Sequence, residues 1–284
     1  MSKRWLINYL LFFLVILFSW IGTPKPENTT PETLLKLTPK EVSDLRIETK
    51  QGIIDFQKKQ EHWYINNPIQ WPASDINIQR IVSLVNVTPQ SSLPNTEIDI
   101  STLGLRFPEA VVIANNNVIA FGDSNQLKSR RYIMVNETVH LIDDVYLPLI
   151  QAGLTGFIGK ALLPKTLTLK QLELPDYTLS RDQSASWTID NTFEGYSADQ
   201  SNQLINNWQT LQSTSIKPYV PTKTPLKKIS VSTEQGDFEF YLMSIQPEII
   251  LAREDLGLQY HFDDSRYYDL FSLKHQRMPL PTEQ

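Results

Sequence analysis

The hydrophobic and polar positions of the chain follow one pattern twice, with a shift of 124 residues between the two copies. This shift places Trp63 on Trp187 in short strand-like stretches, and Asp75 on Asp199 near the starts of helical stretches. The aspartates, or the serines beside them, have the oxygen acceptors that cap a helix N-terminus. Apolar residues then recur every three or four positions, the spacing of a buried helix face. These are Ile78, Ile81, Val82 and Val85 in one copy and Leu204, Ile205, Trp208 and Leu211 in the other.

The later part of each copy has the alternation and the turn residues of β-hairpins. In the first copy the turns are asparagine-rich, and asparagine tolerates a positive φ. The predicted strands are 110–114, 118–122, 131–135 and 138–142 in the first copy, and 228–232, 238–242, 248–252 and 258–262 in the second. Each copy then reaches a pair of aspartates, a tyrosine and a short helix.

These elements predict an α+β fold made of two similar units, each a mainly antiparallel sheet with helices on one face. The first unit covers residues 39–163 and the second covers residues 164–284. The boundary falls at Leu163-Pro164, because the residue before a proline disfavours helical geometry. Duplication of a fold by itself indicates no chemistry.

The N-terminal region has a different pattern, since residues 5–21 contain no charge. As a helix these 17 residues would span roughly 25 Å, which is near the lower limit for crossing a bilayer core. Residues 1–21 are therefore predicted to be a cytoplasmic stub and an uncleaved transmembrane anchor. A cleaved signal peptide is the alternative, although Ser19-Trp20-Ile21-Gly22 fits its cleavage pattern poorly. Residues 22–38 are rich in proline, and we expect them to form a spacer between the anchor and the folded part of the chain.

The position of the nearest basic residues sets the expected orientation. Lys3 and Arg4 precede the uncharged run, so the positive-inside rule places the N-terminus in the cytoplasm. The expected topology is thus a single pass, with most of the chain periplasmic or extracellular.

Composition excludes several classes of protein. The net charge is −5, and it becomes −7 once Lys3 and Arg4 are set aside, so the chain lacks the cationic surface of a nucleic-acid binder. The chain has no cysteine, which excludes disulfides, thiol nucleophiles and cysteine–zinc sites. The four histidines are scattered without metal-site spacing, so we expect no metal and no cofactor.

Two local motifs are candidates for chemistry. Arg130-Arg131-Tyr132 could bind a carboxylate or phosphate of a partner, because adjacent guanidinium groups grip such oxygens. Its alternative is a strand edge where arginine discourages sheet association. The pairs Asp143-Asp144 and Asp263-Asp264 could share a proton or a cation, but we expect them to cap the helices that follow.

In their order and spacing, several short motifs together resemble the bacterial family called domain of unknown function 4340. They are Pro72-Ala73-Ser74-Asp75, Leu103-Gly104-Leu105, Phe121-Gly122, Arg130-Arg131-Tyr132 and Asp143-Asp144-Val145-Tyr146. The resemblance covers most of residues 39–163 and, more faintly, the second unit, where only Arg253 stands near the missing Arg-Arg-Tyr motif. It implies an envelope protein of the bacterial inner (cell) membrane with one membrane anchor, associated with ABC-type transporter permeases and gliding-motility-type auxiliary subunits.

Three hypotheses of function follow. The first is a non-enzymatic, membrane-anchored extracytoplasmic accessory or binding protein whose partner is a membrane protein such as a transporter permease or auxiliary subunit. The second is an envelope hydrolase or carbohydrate-active enzyme that uses carboxylates such as Asp143 and Asp263. The third is a small-ligand sensor with its pocket between the two units.

Overall fold

The computed structural model describes residues 33–125, 129–190, 196–221 and 224–273. The predicted anchor and most of the predicted spacer therefore lie outside the described residues. No helix within the described ranges is long and apolar enough to cross a membrane.

The first half of the chain forms a nine-stranded sheet in which every neighbouring pair is antiparallel. Its spatial order is β4-β3-β2-β1-β6-β7-β8-β9-β5. The strands are β1 (Asp44–Thr49), β2 (Gly52–Lys59), β3 (His62–Asn67), β4 (Trp71–Pro72), β5 (Ser91–Pro94), β6 (Ala110–Ala114), β7 (Asn117–Asn125), β8 (Arg130–Val135) and β9 (Thr138–Asp143).

The second half forms an antiparallel sheet of eight strands. Its order is β12-β11-β10-β14-β15-β16-β17-β13, the order of the first sheet without β4. The strands are β10 (Leu169–Glu173), β11 (Thr178–Arg181), β12 (Trp187–Asp190), β13 (Ser215–Pro218), β14 (Lys227–Thr233), β15 (Gly236–Ser244), β16 (Glu248–Arg253) and β17 (Leu258–Asp263).

The shared strand order confirms that the chain contains two similar, mostly antiparallel sheets. All four predicted hairpins are present, as β6–β7, β8–β9, β14–β15 and β16–β17. Asn115 and Asn136, in the turns of the first two, have the expected positive φ of 52° and 46°. The pattern of apolar positions did not predict β1, β2 and β5 or their counterparts β10, β11 and β13.

Within the residues that the structure describes, five short α-helices accompany the sheets. They are α1 (Asp75–Val82), α2 (Leu147–Gln151), α3 (Leu154–Phe157), α4 (Ala198–Thr210) and α5 (Tyr267–Phe271). The predicted apolar faces of α1 and α4 are buried, except that Leu211 is half-buried just beyond α4. Ser197 caps α4 by accepting from the backbone N–H of Gln200, as predicted. Asp75 does not cap α1 but accepts from the backbone N–H of Trp63, which ties the helix to β3.

One cluster of buried apolar side chains runs through the described chain from Leu34 to Leu273, which belongs to a single compact unit. The connection between the two sheets is part of this core, since Leu162 and Leu163 are each 1% exposed. The backbone N–H of Leu163 donates to the carbonyl of Trp208 at 3.1 Å. The two sheets are therefore joined by packed chain, and a domain boundary at Leu163-Pro164 stays a prediction.

Candidate ligand site between the two sheets

The predicted Arg130-Arg131-Tyr132 motif lies on β8, and Arg131 is buried, with 7% of its surface exposed. Its Nε and Nη2 donate to the two carboxylate oxygens of Asp144 at 2.8 and 2.9 Å. Its Nη1 donates to Glu109 at 3.1 Å and to the carbonyl of Gly122. Every nitrogen of this guanidinium thus already has an acceptor within the protein.

Charge complementarity holds Arg131 in its buried site. Burial alone would lower the pKa of Arg131, but hydrogen bonds and charge from Asp144 and then Glu109 raise it above its ordinary value. The two flanking residues make weaker contacts. The Nε of Arg130 lies 3.8 Å from a carboxylate oxygen of Asp143, and the hydroxyl of Tyr132 accepts from Asn125 at 3.2 Å. Binding of an anion or a partner by this motif stays a prediction.

Motifs that carry the family resemblance meet around Arg131. A Cβ atom on Gly122 would lie 2.2 Å from the carbonyl oxygen of Leu103, so only glycine fits there without displacement. Gly104 has a φ of 69°, which favours glycine, and its own Cβ position would lie 2.9 Å from the backbone nitrogen of Asp123. Arg131 also donates to the Gly122 carbonyl. These motifs therefore contact one another and attach the loop around Leu103 and Gly104 to the sheet.

The paired aspartates have different roles in the two halves. Asp263 caps a 3-10 turn, since its side chain accepts from the backbone N–H of Ser265 at 3.0 Å, as predicted. The corresponding prediction for the first pair is wrong, because α2 has no side-chain cap and Asp144 binds Arg131 instead. Asp143 and Asp263 end corresponding strands of separate sheets.

The histidines make separate contacts. The Nδ1 of His62 lies 2.8 Å from Asp75, and the Nδ1 of His140 lies 2.7 Å from the hydroxyl of Ser92. His261 is 2% exposed, so it lies in the core, and its Nδ1 is 2.9 Å from a carboxylate oxygen of Glu248. His275 lies outside the described residues. Among residues that the structure describes, no cluster of three or more histidine or acidic side chains could hold a metal ion.

A cavity of about 360 Å³ lies between the two sheets, and we call it the inter-sheet cavity. The first sheet contributes β3 and β4 to its wall, through residues such as Tyr64 and Trp71. The second sheet contributes Phe238 on β15 and Arg253 on β16. This volume falls within the range of roughly 300–1,000 Å³ that is typical of small-molecule sites.

Arg253 is the chemically distinctive residue of this wall, because its side chain is only 1% exposed. The guanidinium carbon lies 3.9 Å from the centre of the Phe238 ring, 4.4 Å from Trp71 and 5.1 Å from Phe240. A cation over aromatic faces at these distances is attracted by the ring quadrupoles. Because Trp71 belongs to the first sheet, Arg253 also bridges the two halves of the fold.

Asp255 supplies the counter-charge of Arg253. Its two carboxylate oxygens accept from Nε at 2.8 Å and from Nη2 at 2.7 Å, in a bidentate pair. Its side chain is 51% exposed and also lines the inter-sheet cavity. The pair therefore neutralises the buried cation while keeping one edge of the carboxylate in solvent.

Two polar atoms of the cavity-lining residues have no protein partner. The Nη1 of Arg253 and the Oγ1 of Thr166 are both buried and make no hydrogen bond to any residue that the structure describes. Buried polar groups are nearly always satisfied, and each exception needs an explanation such as a water or a ligand. Nη1 can donate, and the Thr166 hydroxyl can donate and accept. Neither atom has appreciable solvent-accessible surface, so both lie inside the packed wall rather than in the open space of the inter-sheet cavity.

Other charges near the cavity balance one another. Lys59 lines the cavity, and its Nζ lies 5.3 Å from the centre of the Tyr64 ring. Asp237 lines the same cavity. With the Arg253–Asp255 pair, the lining therefore carries two positive and two negative groups.

Sequence reasoning noted Arg253 only as a residue near a missing motif. The sequence pattern that could have identified it is an arginine directly after the apolar run Ile249–Ala252 of a predicted strand. The neighbouring predicted strand has alternating Phe238 and Phe240. That pattern places a charge at the end of a buried strand, where a cation is costly unless it is paired. The cavity itself could not be predicted, because Trp71 and Arg253 meet only through packing between sheets.

Comparisons with known proteins give one finding. The model of a family described as "Domain of unknown function (DUF4340)" matches residues 63–233, more than half of the chain. No curated protein and no solved structure matches the chain.

Proposed function

The chain belongs to the family of domain of unknown function 4340, and from that premise we propose that it is a binding protein that holds a small ligand in its inter-sheet cavity. The inter-sheet cavity carries this proposal. It is a concave space of about 360 Å³ that both sheets line, with the exposed amides of Asn66 and Gln70 beside the aromatic rings of Tyr64 and Trp71. Convergent polar groups in a concave, partly aromatic wall are the general signature of a ligand site.

The proposed setting is the outer face of a membrane. The uncharged residues 5–21 would form the single anchor, and Lys3 and Arg4 would keep the N-terminus in the cytoplasm. The resemblance to the family supports a role as a non-enzymatic accessory protein of an ABC-type transporter or envelope complex. In this role the bound ligand would be presented to, or reported to, a membrane partner.

Ligand binding can be tested by thermal unfolding of the full chain, purified in detergent, against a panel of small metabolites. A ligand at about 100 times its Kd adds about 2.7 kcal/mol to the free energy of unfolding. For a chain of this size each kcal/mol raises Tm by about 2–4 °C. We therefore expect a saturable rise of about 5–10 °C with a cognate ligand.

A matched pair of variants localises the effect. Gln70 is an exposed residue on the wall of the inter-sheet cavity, so Gln70→Trp should obstruct the cavity and abolish the rise. Gln90→Trp makes the same change at an exposed position outside the cavity lining and should keep the rise. A ligand-induced rise that survives Gln70→Trp unchanged would place binding elsewhere and refute the proposal.

The membrane setting has its own test, because the natural chain has no cysteine. Val220 is 59% exposed, so Val220→Cys in intact cells should react with a membrane-impermeant maleimide, whereas Ser2→Cys should not. Crosslinking and affinity purification from native membranes should then recover a transporter permease or auxiliary subunit. Labelling of Ser2→Cys alone would reverse the proposed orientation.

A further inference from the structure

We infer that the inter-sheet cavity takes a zwitterionic ligand, a free amino acid or a short peptide with an apolar side chain, whose carboxylate contacts Lys59 and whose ammonium contacts Asp237. This inference rests on the proposed function and adds the chemical class of the ligand. It is carried by two exposed side chains of opposite charge, one from each sheet, that line the same cavity. Neither forms an ion pair with any residue that the structure describes.

The cationic side of the cavity belongs to the first sheet. Lys59 ends β2 and is exposed, and its Nζ lies 5.3 Å from the centre of the Tyr64 ring on β3. The ring attracts an ammonium at this distance, so the charge lies beside a ring that lines the inter-sheet cavity. The preceding Lys58 contrasts with it, because its Nζ already pairs with Glu61 at 3.4 Å. Lys59 is therefore available to a carboxylate of the ligand.

The anionic side of the cavity belongs to the second sheet. Asp237 lies at the start of β15 and is exposed, and its carboxylate makes no hydrogen bond to any residue within the described ranges. A second cavity, of about 490 Å³, shares Asp237, Phe238 and Asp255 with the inter-sheet cavity and therefore adjoins it. Its described lining contains no lysine or arginine, and its acidic residues are Asp237, Glu239, Glu254 and Asp255.

Cations behind this second lining neutralise only part of its charge. Glu239 contacts Lys228, and Asp255 binds Arg253. Glu254 accepts from the hydroxyl of Tyr219, a neutral donor, and Asp237 has no counter-charge among the described residues. The side of the opening that the second sheet forms is therefore net negative and favours an ammonium group of the ligand.

Aromatic rings of the same lining supply an apolar surface. Tyr64 on the first sheet and Phe238 on the second are both half-buried, and the Phe238 ring meets the Trp71 ring edge to face at 5.2 Å. An amino acid has a carboxylate, an ammonium and a side chain, one group for each of the three surfaces. A ligand with a single charge would pair with one side and meet a like charge on the other. The cavity volume of about 360 Å³ suits a small ligand of this kind.

Three probes of nearly the same shape test the charge requirement. Phenylalanine has both charges, phenethylamine has only the ammonium, and 3-phenylpropionate has only the carboxylate. In isothermal titration calorimetry with the full chain, phenylalanine should bind about fivefold more tightly than either analogue, which is the effect of one exposed ion pair. The tripeptide glycyl-phenylalanyl-glycine has the same charges further apart, so the tighter of the two zwitterions identifies the source of the ligand.

Two substitutions at exposed positions assign each charge of the ligand to its residue. In Lys59→Gln, phenylalanine should lose its advantage over phenethylamine and keep its advantage over 3-phenylpropionate. In Asp237→Asn, it should lose its advantage over 3-phenylpropionate and keep its advantage over phenethylamine. Lys40→Gln and Asp176→Asn are the matched controls, since both residues are exposed and lie outside both cavity linings, and these variants should keep both advantages.

The remaining outcomes separate the inference from the proposed function. Equal binding of the three probes, or tighter binding of a singly charged one, that Gln70→Trp abolishes would support the cavity as a binding site and overturn the zwitterionic class. Equal losses in the cavity variants and their controls would show a general charge effect and overturn the roles of Lys59 and Asp237. Phenylalanine binding that Gln70→Trp leaves intact would overturn the assignment to this cavity. Absence of binding by every probe would overturn the inference, and the proposed function would fall with it only if the metabolite panel also gave no rise in Tm.

Discussion

Replacing Arg253 by methionine should leave the free energy of unfolding within about 1 kcal/mol of the wild type, although the side chain is only 1% exposed. Taking a cation out of water costs several kcal/mol. Two terms offset this cost, namely about 4 kcal/mol of attraction to Asp255 at an effective dielectric of 20, and up to about 2 kcal/mol from the aromatic rings. Methionine is apolar and adaptable, so it would keep the packing against Trp71 and Phe238.

Removing the other partner should have the opposite outcome. Asp255→Ala leaves the buried guanidinium without its bidentate acceptor, and breaking a fully buried pair in this way costs about 3–5 kcal/mol. Because the Asp255 side chain is 51% exposed, solvent already screens the pair, and we expect a loss of about 2–3 kcal/mol. The double variant, with neither charge, should return to within about 1 kcal/mol of the wild type.

Urea denaturation of the full chain, followed by circular dichroism, measures these differences as shifts in the midpoint at constant m. The expected order of stability is wild type, Arg253→Met and the double variant close together, with Asp255→Ala below them. A loss of 3 kcal/mol or more in Arg253→Met, with a smaller loss in Asp255→Ala, would refute the reasoning. It would mean that Arg253 is chiefly a structural bridge between the two sheets.

Three further predictions concern the rest of the core. Burial raises the pKa of Tyr260 above the ordinary value of about 10, so the free energy of unfolding should fall as the pH rises above 10, by about 1.4 kcal/mol per pH unit for this group. Tyr260→Phe also removes a buried hydroxyl that has no partner among the described residues. This variant should flatten that fall in urea titrations and leave the free energy of unfolding at pH 7 unchanged. Arg131→Lys keeps the charge but loses the bidentate contact with Asp144, and should lower stability by about 1.5–3 kcal/mol by the same assay. Gly122→Ala should cost about 1–3 kcal/mol, since its Cβ would meet the carbonyl of Leu103, and a measured cost near zero would contradict the close approach.

Local signals in the sequence predicted the hairpins and the two longest helices. Alternation in Ala110–Ala114 and the asparagine turn that follows encode a hairpin without reference to the rest of the chain. The three-and-four spacing of Ile78, Ile81 and Val82 likewise encodes the buried face of α1. Because both copies contain these patterns, the sequence also predicted that the order of elements repeats.

Edge strands and the candidate site depended on long-range packing instead. Ser91–Pro94 is exposed throughout and has no apolar alternation, so β5 forms only because β9 offers a pairing edge. The role of Arg131 was similarly hidden, since nothing local shows that Glu109 and Asp144 converge on it. Arg253 contacts the Trp71 ring only because the two sheets pack together, and no local pattern in the sequence shows that contact.

The duplicated sheets allow the two halves to be compared position by position at Arg253. In the first half, β8 and β9 pair from Val135 opposite Thr138 at the turn, and in the second half β16 and β17 pair from Arg253 opposite Leu258. Val135 is therefore the structural counterpart of Arg253, and it is an ordinary buried valine with 2% exposure. The fold holds this position with an apolar side chain in one copy, so the buried charge in the other is not a requirement of the topology. The fold tolerates this cation because Asp255 and the rings of Phe238 and Trp71 offset the cost of its burial, and Arg253→Met tests that balance directly.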